Sequence, residues 1–372
     1  MASFHIGTSI RLKIATSLLG YSSIRTKSLG VEKYYNIELS DKYDYYIPDD
    51  SDPEDVYKEF EYLTNTVAKT LKRQPDHDLF DQHLVETLAT MVYGSNLIES
   101  AGAGLDMTVK LCEAVFKAEE IHEEIIERDN EYELLKRELM AKKLPHSYLA
   151  VLQSHREIIQ HAKAARYMIE QVCIDGRDIS EEIILETHRI LTFKIDTDQG
   201  TPWTEYSGAY RKCPVSTGFQ SYMEHTRVPY AMQKMIKGLQ SDLQEAEQLG
   251  DIDPVGLAAK YCHIFVNIHP FLDGNGRMCR LILNSILLKY SGTLVCIGQT
   301  EDDRDEYLRI ASSASYREQN SEDLDGIPED LKPQHFNELA TFTLLHARES
   351  LRKYISVLPK NGDEGQRRTR DP

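Results

Sequence analysis

Long apolar runs are missing from this sequence of 372 residues. No stretch approaches the roughly 18 uncharged apolar residues that a membrane-spanning helix needs, which argues against a membrane span. The six cysteines lie far apart with no C-x-x-C pair, and H-E-x-x-H is absent as well. The sequence therefore indicates neither a disulfide framework nor a zinc site, and its cysteine usage is typical of a reducing compartment.

Positive charge is in the minority, with 43 Lys and Arg against 60 Asp and Glu and a formal net charge of -17. A chain of this charge repels phosphate backbones, which argues against nucleic acid as the main partner. Two common phosphate-binding patterns, G-x-x-x-x-G-K-[ST] and the kinase glycine loop, are also absent. Any phosphate chemistry must therefore come from a different motif.

The N-terminal segment has a composition of its own. Residues 1–31 contain Arg and Lys, many Ser and Thr, and no Asp or Glu. This composition is typical of a mitochondrial transit peptide; the alternative is a poorly ordered arm of a cytoplasmic or nuclear protein. Residues 40–55 are polar, and Pro48 and Pro53 interrupt any helix there. We therefore expect residues 1–55 to form an N-terminal arm and a linker.

From about Val56 onward, apolar residues recur at three- and four-residue steps, which is the pattern of amphipathic helices. The predicted fold class is all-α, with a helical region over 56–175, a core over 176–355 and a disordered tail over 356–372. Helices are expected at 84–97, from 107, at 117–143 as one long helix or a helical pair, and at 146–173, 180–193, 229–249, 254–268, 275–290, 302–315 and 335–355. Residues 200–227 are punctuated by Gly and Pro, so they predict a loop or a small hairpin.

The strongest chemical signal is the run from His269 to Arg280, HPFLDGNGRMCR. Two apolar helices flank this run, and the loop between them opens directly into the N-terminus of the second helix. Gly274 and Gly276 let the backbone approach a ligand closely, and the N–H groups at a helix N-terminus carry a partial positive charge. The run therefore predicts an anion cradle suited to phosphates.

Polar side chains line the same stretch. Asp273, Arg277, Arg280 and Asn284 follow at steps of four, three and four, so they share one stripe of the second helix. The arginines can fork onto phosphate oxygens, the carboxylate is a ligand that magnesium prefers, and His269 can take up a proton near neutral pH. A polar helix stripe or a His before Pro is usually structural when it occurs alone. Their coincidence with the cradle indicates phosphate chemistry instead.

The run resembles the signature of the Fic family, H-x-F-x-[D/E]-G-N-G-R-x-x-R, at every fixed position. The resemblance extends from about 180 to 345 and reaches back to a helix that ends near Glu99. It implies a Fic-type helical bundle with a small β-hairpin flap, preceded by an additional N-terminal helical region. The segment from Gly208 to Arg211 resembles the start of the flap, which we place within 213–227. Such a flap pairs with the backbone of a target protein.

The resemblance also implies a role for each residue of the run. His269 would be the general base that takes the proton from a Ser, Thr or Tyr hydroxyl of the target, and Asp273 would hold Mg²⁺ between the phosphates of ATP. The phosphates themselves would be bound by Gly274, Asn275, Gly276, Arg277 and Arg280. Tyr307 resembles an aromatic residue near the adenine, with an ordinary helix-face tyrosine as the equal alternative.

The segment from Ser95 to Ser100, SNLIES, resembles the inhibitory motif of the family, [S/T]-x-x-x-E-[G/N]. It departs at the last position, where Ser100 stands in place of Gly or Asn. Glu99 lies near the C-terminal end of its helix, where the helix dipole disfavours a carboxylate and a nearby cation would stabilise it. In the family that cation is the second arginine of the signature, here Arg280. The alternative is a solvent-exposed Glu at a frayed helix end.

The function implied by the resemblance is that of a protein adenylyltransferase, a nucleotidyltransferase that moves AMP from ATP to a hydroxyl of a target protein and is inhibited by its own Glu99. Three alternatives stay open. They are removal of AMP at the same site, transfer of UMP, phosphate or phosphocholine, and a nucleotide-sensing interaction module. The sequence identifies no target and leaves a homo-oligomer open, and it leaves the localisation as cytoplasmic or nuclear, with mitochondrial as the alternative.

Overall fold

Helices dominate the residues that the computed structural model describes, which are 6–19, 23–28, 31–45, 52–73, 78–217, 220–320 and 334–358. In chain order these helices are α1 (Ile6–Ser17), α2 (Pro53–Arg73), α3 (Asp78–Ile98), α4 (Leu105–Phe116), α5 (Asn130–Ala141), α6 (Tyr148–Ile169), α7 (Glu181–Leu191), α8 (Trp203–Tyr206), α9 (Val228–Leu249), α10 (Pro254–Ile268), α11 (Asn275–Ser291), α12 (Glu301–Asn320) and α13 (Asn337–Val357). A turn of π-helix over Glu170–Ile174 continues α6. The predicted all-α fold is confirmed.

The predicted helices agree well with the structure, with one exception. Those expected at 229–249, 254–268 and 275–290 match α9, α10 and α11 within one residue at each end. The long helix or helical pair expected over 117–143 is wrong, because only Asn130–Ala141 is helical there. Ala118 has a φ of 58° and Arg128 a φ of 77°, and this left-handed backbone cannot continue a right-handed helix.

The segment expected to be an arm and a linker contains packed structure. Helix α1 buries Ile6, Ile10 and Ile14, and the Nε of its Arg11 lies 2.5 Å from Oδ1 of Asp81 on α3. The four-residue spacing of the three isoleucines is itself a helix signal. Tyr43 and Tyr45 from the expected linker are buried as well. The transit peptide and the domain boundaries stay predictions. The disordered tail was predicted over 356–372, but residues 356 and 357 belong to α13, and the segment from 359 lies outside the described residues.

Two small sheets accompany the helices in the described part of the chain. One has the strand order β1 (Leu18–Leu19), β2 (Ser23–Ser28), β3 (Val31–Ile37), β6 (Asp251–Ile252), with antiparallel pairing between β1, β2 and β3. Strand β3 pairs in parallel with β6, which ends just before α10. This sheet was not predicted. The other is the antiparallel hairpin β4 (Ser216–Thr217) and β5 (Gln220–Ser221), in the segment expected to form the flap.

The core places α10 and α11 side by side, with α3 and α6 also in contact with α11. Helix α10 is apolar almost all round, and its Val255 and Phe265 are fully buried. Its N-terminus is capped by Asp253, whose Oδ1 accepts from the N–H groups of Val255 (3.1 Å) and Gly256 (2.9 Å). Among the described residues, none of the helices combines the length and the apolar character required to cross a bilayer.

Candidate functional site

Helix α10 ends in a sharp turn at His269. This residue has a left-handed backbone with a φ of 50°, and its N–H donates to the carbonyl of Phe265 at 3.1 Å. A non-glycine residue in this region carries backbone strain. Pro270 then prevents the helix from continuing. The turn therefore fixes His269 at the junction between the buried helix and the loop that leads to α11.

The imidazole of His269 is held as a neutral base. Its Nδ1–H donates to the carbonyl of Val266 at 3.2 Å, which leaves Nε2 as the atom that accepts a proton. Burial disfavours the charged ring, and the nearby Arg211 adds repulsion, so the pKa of His269 falls to about 4. The ring is therefore deprotonated near neutral pH, as a general base requires.

The loop between the two helices is held by the side chain of Asn275. Its Oδ1 accepts from the N–H of Phe271 at 2.9 Å, and its Nδ2 donates to the carbonyl of Phe271 at 2.9 Å. Gly274 allows the turn into α11 with a φ of 78°. Both polar groups of the Asn275 side chain are thus engaged within the loop. Direct binding of phosphate by this side chain stays a prediction, whereas its role in shaping the cradle is visible.

A second histidine, His188 on α7, supports the loop between α10 and α11 by hydrogen bonds and stacking. Its Nε2–H donates to the carbonyl of Asp273 at 3.0 Å, and its Nδ1 accepts from the N–H of Gly208 at 2.9 Å. Its ring stacks on Phe271, with centroids 3.6 Å apart, and burial lowers its pKa to about 4. No sequence motif predicted this residue; the one signal for it is a histidine on the buried side of an amphipathic helix.

Arg277 and Asp273 lie together at the start of α11. Nη2 of Arg277 is 3.3 Å from Oδ2 of Asp273, and the arginine side chain is only 5% exposed. Its Nε and Nη1 are buried without a hydrogen-bond partner among the described residues. Unpaired donors on a buried cation are costly unless an anion completes them. Arg277 is therefore suited to receive a phosphate group.

Arg280 joins α11 to the end of α3. Its Nε donates to Oγ of Ser95 at 2.8 Å, and its Nη2 donates to the carbonyl of Ser95 at 2.9 Å and to Oε1 of Glu99 at 2.6 Å. The pair between Glu99 and Arg280 that was expected from the resemblance is thus present. Ser95, the first residue of the same motif, thus accepts from the guanidinium at both its hydroxyl and its carbonyl oxygen.

The Glu99 carboxylate also lies directly against the cradle. A Cβ atom added at Gly276 would be 2.1 Å from Oε1 of Glu99 and 3.2 Å from Nη1 of Arg280. No residue larger than glycine fits here while Glu99 keeps this position. The carboxylate therefore occupies space beside the backbone N–H groups that were expected to receive phosphate oxygens.

Comparison with known proteins agrees with this geometry. The model of the Fic/DOC family matches residues 178–287, which include the loop and most of α11. A Fido domain-containing protein of Dictyostelium discoideum is 34% identical over 105 residues, which are 28% of this chain and 71% of that protein. The chain belongs to the Fic/DOC family.

Other similar proteins extend the comparison. The Protein adenylyltransferase Fic of Drosophila grimshawi is 29% identical over 169 residues, which are 45% of this chain and 32% of that protein. The chain thus matches about a third of the length of this relative. Among solved structures, a Fic domain containing signaling protein from Bacteroides thetaiotaomicron has a TM-score of 0.55 at 20% identity, covering 82% of this chain and 96% of its own. Fic-1 from C. elegans has a TM-score of 0.52 at 21% identity, covering 81% and 70%. These structures confirm the Fic-type fold.

The flap of this Fic/DOC protein is tied to the loop by Arg211, which is buried. Its N–H, Nε, Nη1 and Nη2 donate, at 2.9, 2.7, 3.0 and 2.6 Å, to the main-chain carbonyls of Pro270, His269, Cys213 and Met223. The ring of Tyr222 stacks on His269, with centroids 3.7 Å apart and planes at 16°. From the sequence, Arg211 was expected only at the entry to the flap, and Tyr222 was not singled out, because nothing local signals either contact.

Tyr307, expected near the adenine, lies beside the same arginine as Glu99. It is buried, its ring centroid is 5.5 Å from Cζ of Arg280, and its hydroxyl is 3.8 Å from Sγ of Cys279. The ring therefore supports Arg280 by a cation–π contact. A contact with adenine stays a prediction.

Asp273 is the candidate metal ligand of this Fic/DOC protein. Within the described ranges, no group of three or more His, Cys, Asp or Glu side chains could hold a metal by protein ligands alone. The Asp273 side chain is 41% exposed beside the cradle. One accessible carboxylate fits Mg²⁺, which keeps several waters and shares its ligands with substrate phosphates. Its role as the metal residue stays a prediction.

Proposed function

We propose that the chain is a protein adenylyltransferase, which transfers AMP from ATP to a Ser, Thr or Tyr hydroxyl of a target protein. The observation that carries the proposal is a neutral imidazole, His269, at the edge of a helix N-terminus that also holds the incompletely paired Arg277. A base beside a phosphate cradle suits transfer to a hydroxyl, whereas nucleotide binding alone requires no base. The names of the Drosophila relatives support the same reaction.

In this mechanism Nε2 of His269 takes the proton of the target hydroxyl while its oxygen attacks the α-phosphorus of ATP. The bond between the α-phosphorus and the oxygen bridging to the β-phosphate breaks, and pyrophosphate leaves. Arg277 neutralises the charge that develops on the leaving group. Asp273 would hold Mg²⁺, which would supply further neutralisation of phosphate charge. The chain itself contributes orientation and electrostatic stabilisation.

Glu99 supplies the regulation in this proposal. Its carboxylate pairs with Arg280 at 2.6 Å, so that arginine is not free to bind the γ-phosphate. The same carboxylate lies against Gly276 and repels incoming phosphate oxygens. ATP would then bind with its α-phosphate turned away from in-line attack. The wild-type protein is therefore expected to transfer AMP slowly.

The test is transfer of label from ATP labelled on the α-phosphate, either to the protein itself or to proteins of a lysate. Glu99→Gly removes both effects of the carboxylate and should raise labelling strongly. The double variant Glu99→Gly with His269→Ala should lose the roughly 10²–10⁴-fold that a general base contributes, with ATP affinity little changed. Glu127→Gly, an exposed glutamate on the turn before α5, is the matched control and should leave labelling as in the wild type.

Other outcomes would point to other functions. Equal labelling by wild type and Glu99→Gly would show that α3 does not regulate the site. Labelling from γ-labelled but not α-labelled ATP would replace AMP transfer with a kinase reaction. Release of AMP from a modified target by the wild type would identify removal as the main activity. Binding of ATP without any transfer by Glu99→Gly would favour a nucleotide-sensing module.

A further inference from the structure

The imidazole of His269 is held by two independent contacts. At its edge, Nδ1–H donates to the carbonyl of Val266 at 3.2 Å. Over its face, the ring of Tyr222 lies nearly parallel, with centroids 3.7 Å apart and planes at 16°. The hydrogen bond alone would leave the ring free to rock about it, and the stack restricts that motion. The two contacts together define one orientation of the ring.

The stack is part of a buried tie between the flap and the motif loop. Nε of Arg211 donates to the carbonyl of His269 at 2.7 Å, and its Nη2 donates to the carbonyl of Met223 at 2.6 Å. Met223 directly follows Tyr222, so one guanidinium holds the two main-chain segments that carry the stacked rings. The N–H of Tyr222 also donates to the carbonyl of Val215 at 3.3 Å, which continues the hairpin. The position of the tyrosine is therefore set by the fold.

We infer that Tyr222 is a positioning residue for the proposed base: its ring keeps the His269 imidazole in the orientation in which Nδ1–H donates to the Val266 carbonyl and Nε2 is the proton acceptor, and it excludes water from one face of the imidazole. This inference rests on the proposed function for the role of His269, and on the stack itself for the role of Tyr222. The positioning depends on the aromatic ring of Tyr222, because the stack involves the face of that ring. The hydroxyl of Tyr222 is not required.

The alternative is that Tyr222, as a flap residue, contacts the target or the nucleotide directly. The two roles differ in what they predict. A positioning residue changes the rate of the chemical step and leaves ATP binding alone, whereas a contact residue changes the apparent affinity for what it touches. Substitution of Tyr222 by phenylalanine helps to distinguish these two roles. It keeps the aromatic ring and its stack on His269 but removes the hydroxyl.

The kinetic experiment uses the Glu99→Gly protein as the active background, with label from α-labelled ATP. Tyr222→Leu should lower kcat by roughly 10-fold or more, because a misplaced base loses its approach to the reacting hydroxyl, while KM for ATP changes little. Tyr222→Phe should retain the kcat of the background. Tyr230→Leu replaces an exposed tyrosine at the start of α9 and should change neither constant. A raised KM with unchanged kcat in Tyr222→Leu, or an equal loss in Tyr222→Phe, overturns the inference.

A second measurement does not depend on activity. In the chain of 372 residues labelled with ¹⁵N-histidine, the two ring nitrogens of His269 should show a single Nδ1–H tautomer in the wild type and in Tyr222→Phe. Tyr222→Leu should mix the tautomers, and His269→Ala identifies the signals. Unchanged signals in a folded Tyr222→Leu protein overturn the inference. If the signals change but Glu99→Gly transfers no label, the proposed function fails and the role of Tyr222 in holding the ring stands.

Discussion

Ser100 adopts a left-handed backbone conformation, with a φ of 56°, directly after Glu99. Its N–H donates to the carbonyl of Leu97 at 3.1 Å, and the N–H of Ala101 donates to the carbonyl of Asn96 at 2.9 Å. These two bonds form a Schellman motif, whose left-handed position is usually Gly and sometimes Asn. The backbone therefore explains why Gly or Asn suits this position. A serine here carries backbone strain in the residue that directly follows Glu99.

Ser100→Gly is expected to raise the free energy of unfolding by about 0.5–1 kcal/mol. Left-handed backbone costs an L-residue about 1–2 kcal/mol, which exceeds the roughly 0.5–1 kcal/mol of entropy that glycine loses on folding. Because the helix end beside it becomes better ordered, Glu99 should hold Arg280 longer, and AMP transfer by the otherwise wild-type protein should fall. Chemical denaturation and labelling from α-labelled ATP measure the two effects.

The chain offers a matched control at the end of α5. Lys143 has a φ of 59° and lies in the same motif. Its N–H donates to the carbonyl of Met140 at 3.0 Å, and the N–H of Leu144 donates to the carbonyl of Leu139 at 2.9 Å. Lys143→Gly should give a similar gain in stability and leave transfer unchanged. If Ser100→Gly lowers stability, or affects transfer no more than Lys143→Gly does, the helix end has no part in regulation.

At the scale of elements, the position of α3 depends on a polar stripe of α6. Oγ of Ser154 donates to the carbonyl of Gly102 at 2.6 Å, and Oε2 of Glu157 accepts from the N–H of Gly102 at 2.7 Å. One turn further along, Nδ1 of His161 lies 2.8 Å from Oδ1 of Asn96. Both main-chain polar groups of Gly102, three residues beyond Glu99, are thus held by α6. The conformation of the chain that follows Glu99 therefore depends on α6 as well as on α3.

Ser154→Ala is expected to raise AMP transfer by the otherwise wild-type protein, though by less than Glu99→Gly does. The change leaves the Gly102 carbonyl without its donor, at a cost of about 1–3 kcal/mol, and loosens the chain that follows Glu99. In the Glu99→Gly background the same change should have no effect, because the carboxylate that it positions is gone. A double-mutant cycle with α-labelled ATP measures this coupling.

Ser291→Ala is the control for the element-scale prediction. Ser291 is also buried and donates to a main-chain carbonyl, that of Leu287 at 2.7 Å, but at the far end of α11. It should lower stability without raising transfer. If Ser154→Ala changes transfer equally in both backgrounds, then α6 acts on the site by a route other than Glu99.

The elements that sequence analysis predicted best are those with strong local signals. Helices α9, α10 and α11 have continuous apolar faces, and α10 has the capping residue Asp253 followed by Pro254. The break over 117–129 was missed because charged residues at helical spacing resemble a solvated helix. The pairing of β3 with β6 joins segments more than 200 residues apart, and no periodicity in either segment encodes it.

The candidate site divides in the same way. The run from His269 to Arg280 is contiguous, so its chemistry could be predicted from spacing and residue type. The pair between Glu99 and Arg280 spans 181 residues and was expected only because the sequence resembles a known family. His188 and Tyr222 reach the loop through tertiary packing, with only the weak signal of a buried histidine in the first case. Residues that support a site are in general harder to predict than those that form its motif.

At the scale of the whole molecule, buried histidines link stability to pH. Burial lowers the pKa of His188 and of His269 to about 4, and burial together with the charges of Arg277 and Arg280 holds the pKa of His161 well below its usual value. In the unfolded chain a histidine titrates near 6.5. Between these values the unfolded chain binds more protons than the folded one. These groups therefore lower the free energy of unfolding as the pH falls from about 6.5 to 4.

Asp253 acts in the opposite direction. Burial raises the pKa of this helix cap to about 6, despite the N–H groups that it accepts. The folded protein therefore keeps a proton on Asp253 between its usual value of 3.8 and about 6, where the unfolded chain has lost it. Its contribution to stability falls as the pH rises through this window. The contributions of the histidines and of Asp253 can be distinguished, because they change the free energy of unfolding with pH in opposite directions.

Chemical denaturation at a series of pH values between 6.5 and 4.5 tests this linkage. His188→Gln should lower the free energy of unfolding at neutral pH, because it alters the hydrogen bond to the Asp273 carbonyl and removes the stack on Phe271. It should also reduce the slope of the free energy of unfolding against pH by up to about 1.4 kcal/mol per pH unit, the value for one proton. Asp253→Asn should make the slope steeper, because it removes the opposing group.

The slope of the free energy of unfolding against pH is the decisive quantity, since a cavity or a lost hydrogen bond lowers stability equally at every pH. An unchanged slope in His188→Gln would mean that this histidine takes up its proton in the folded protein and that the loop is not held by a neutral ring.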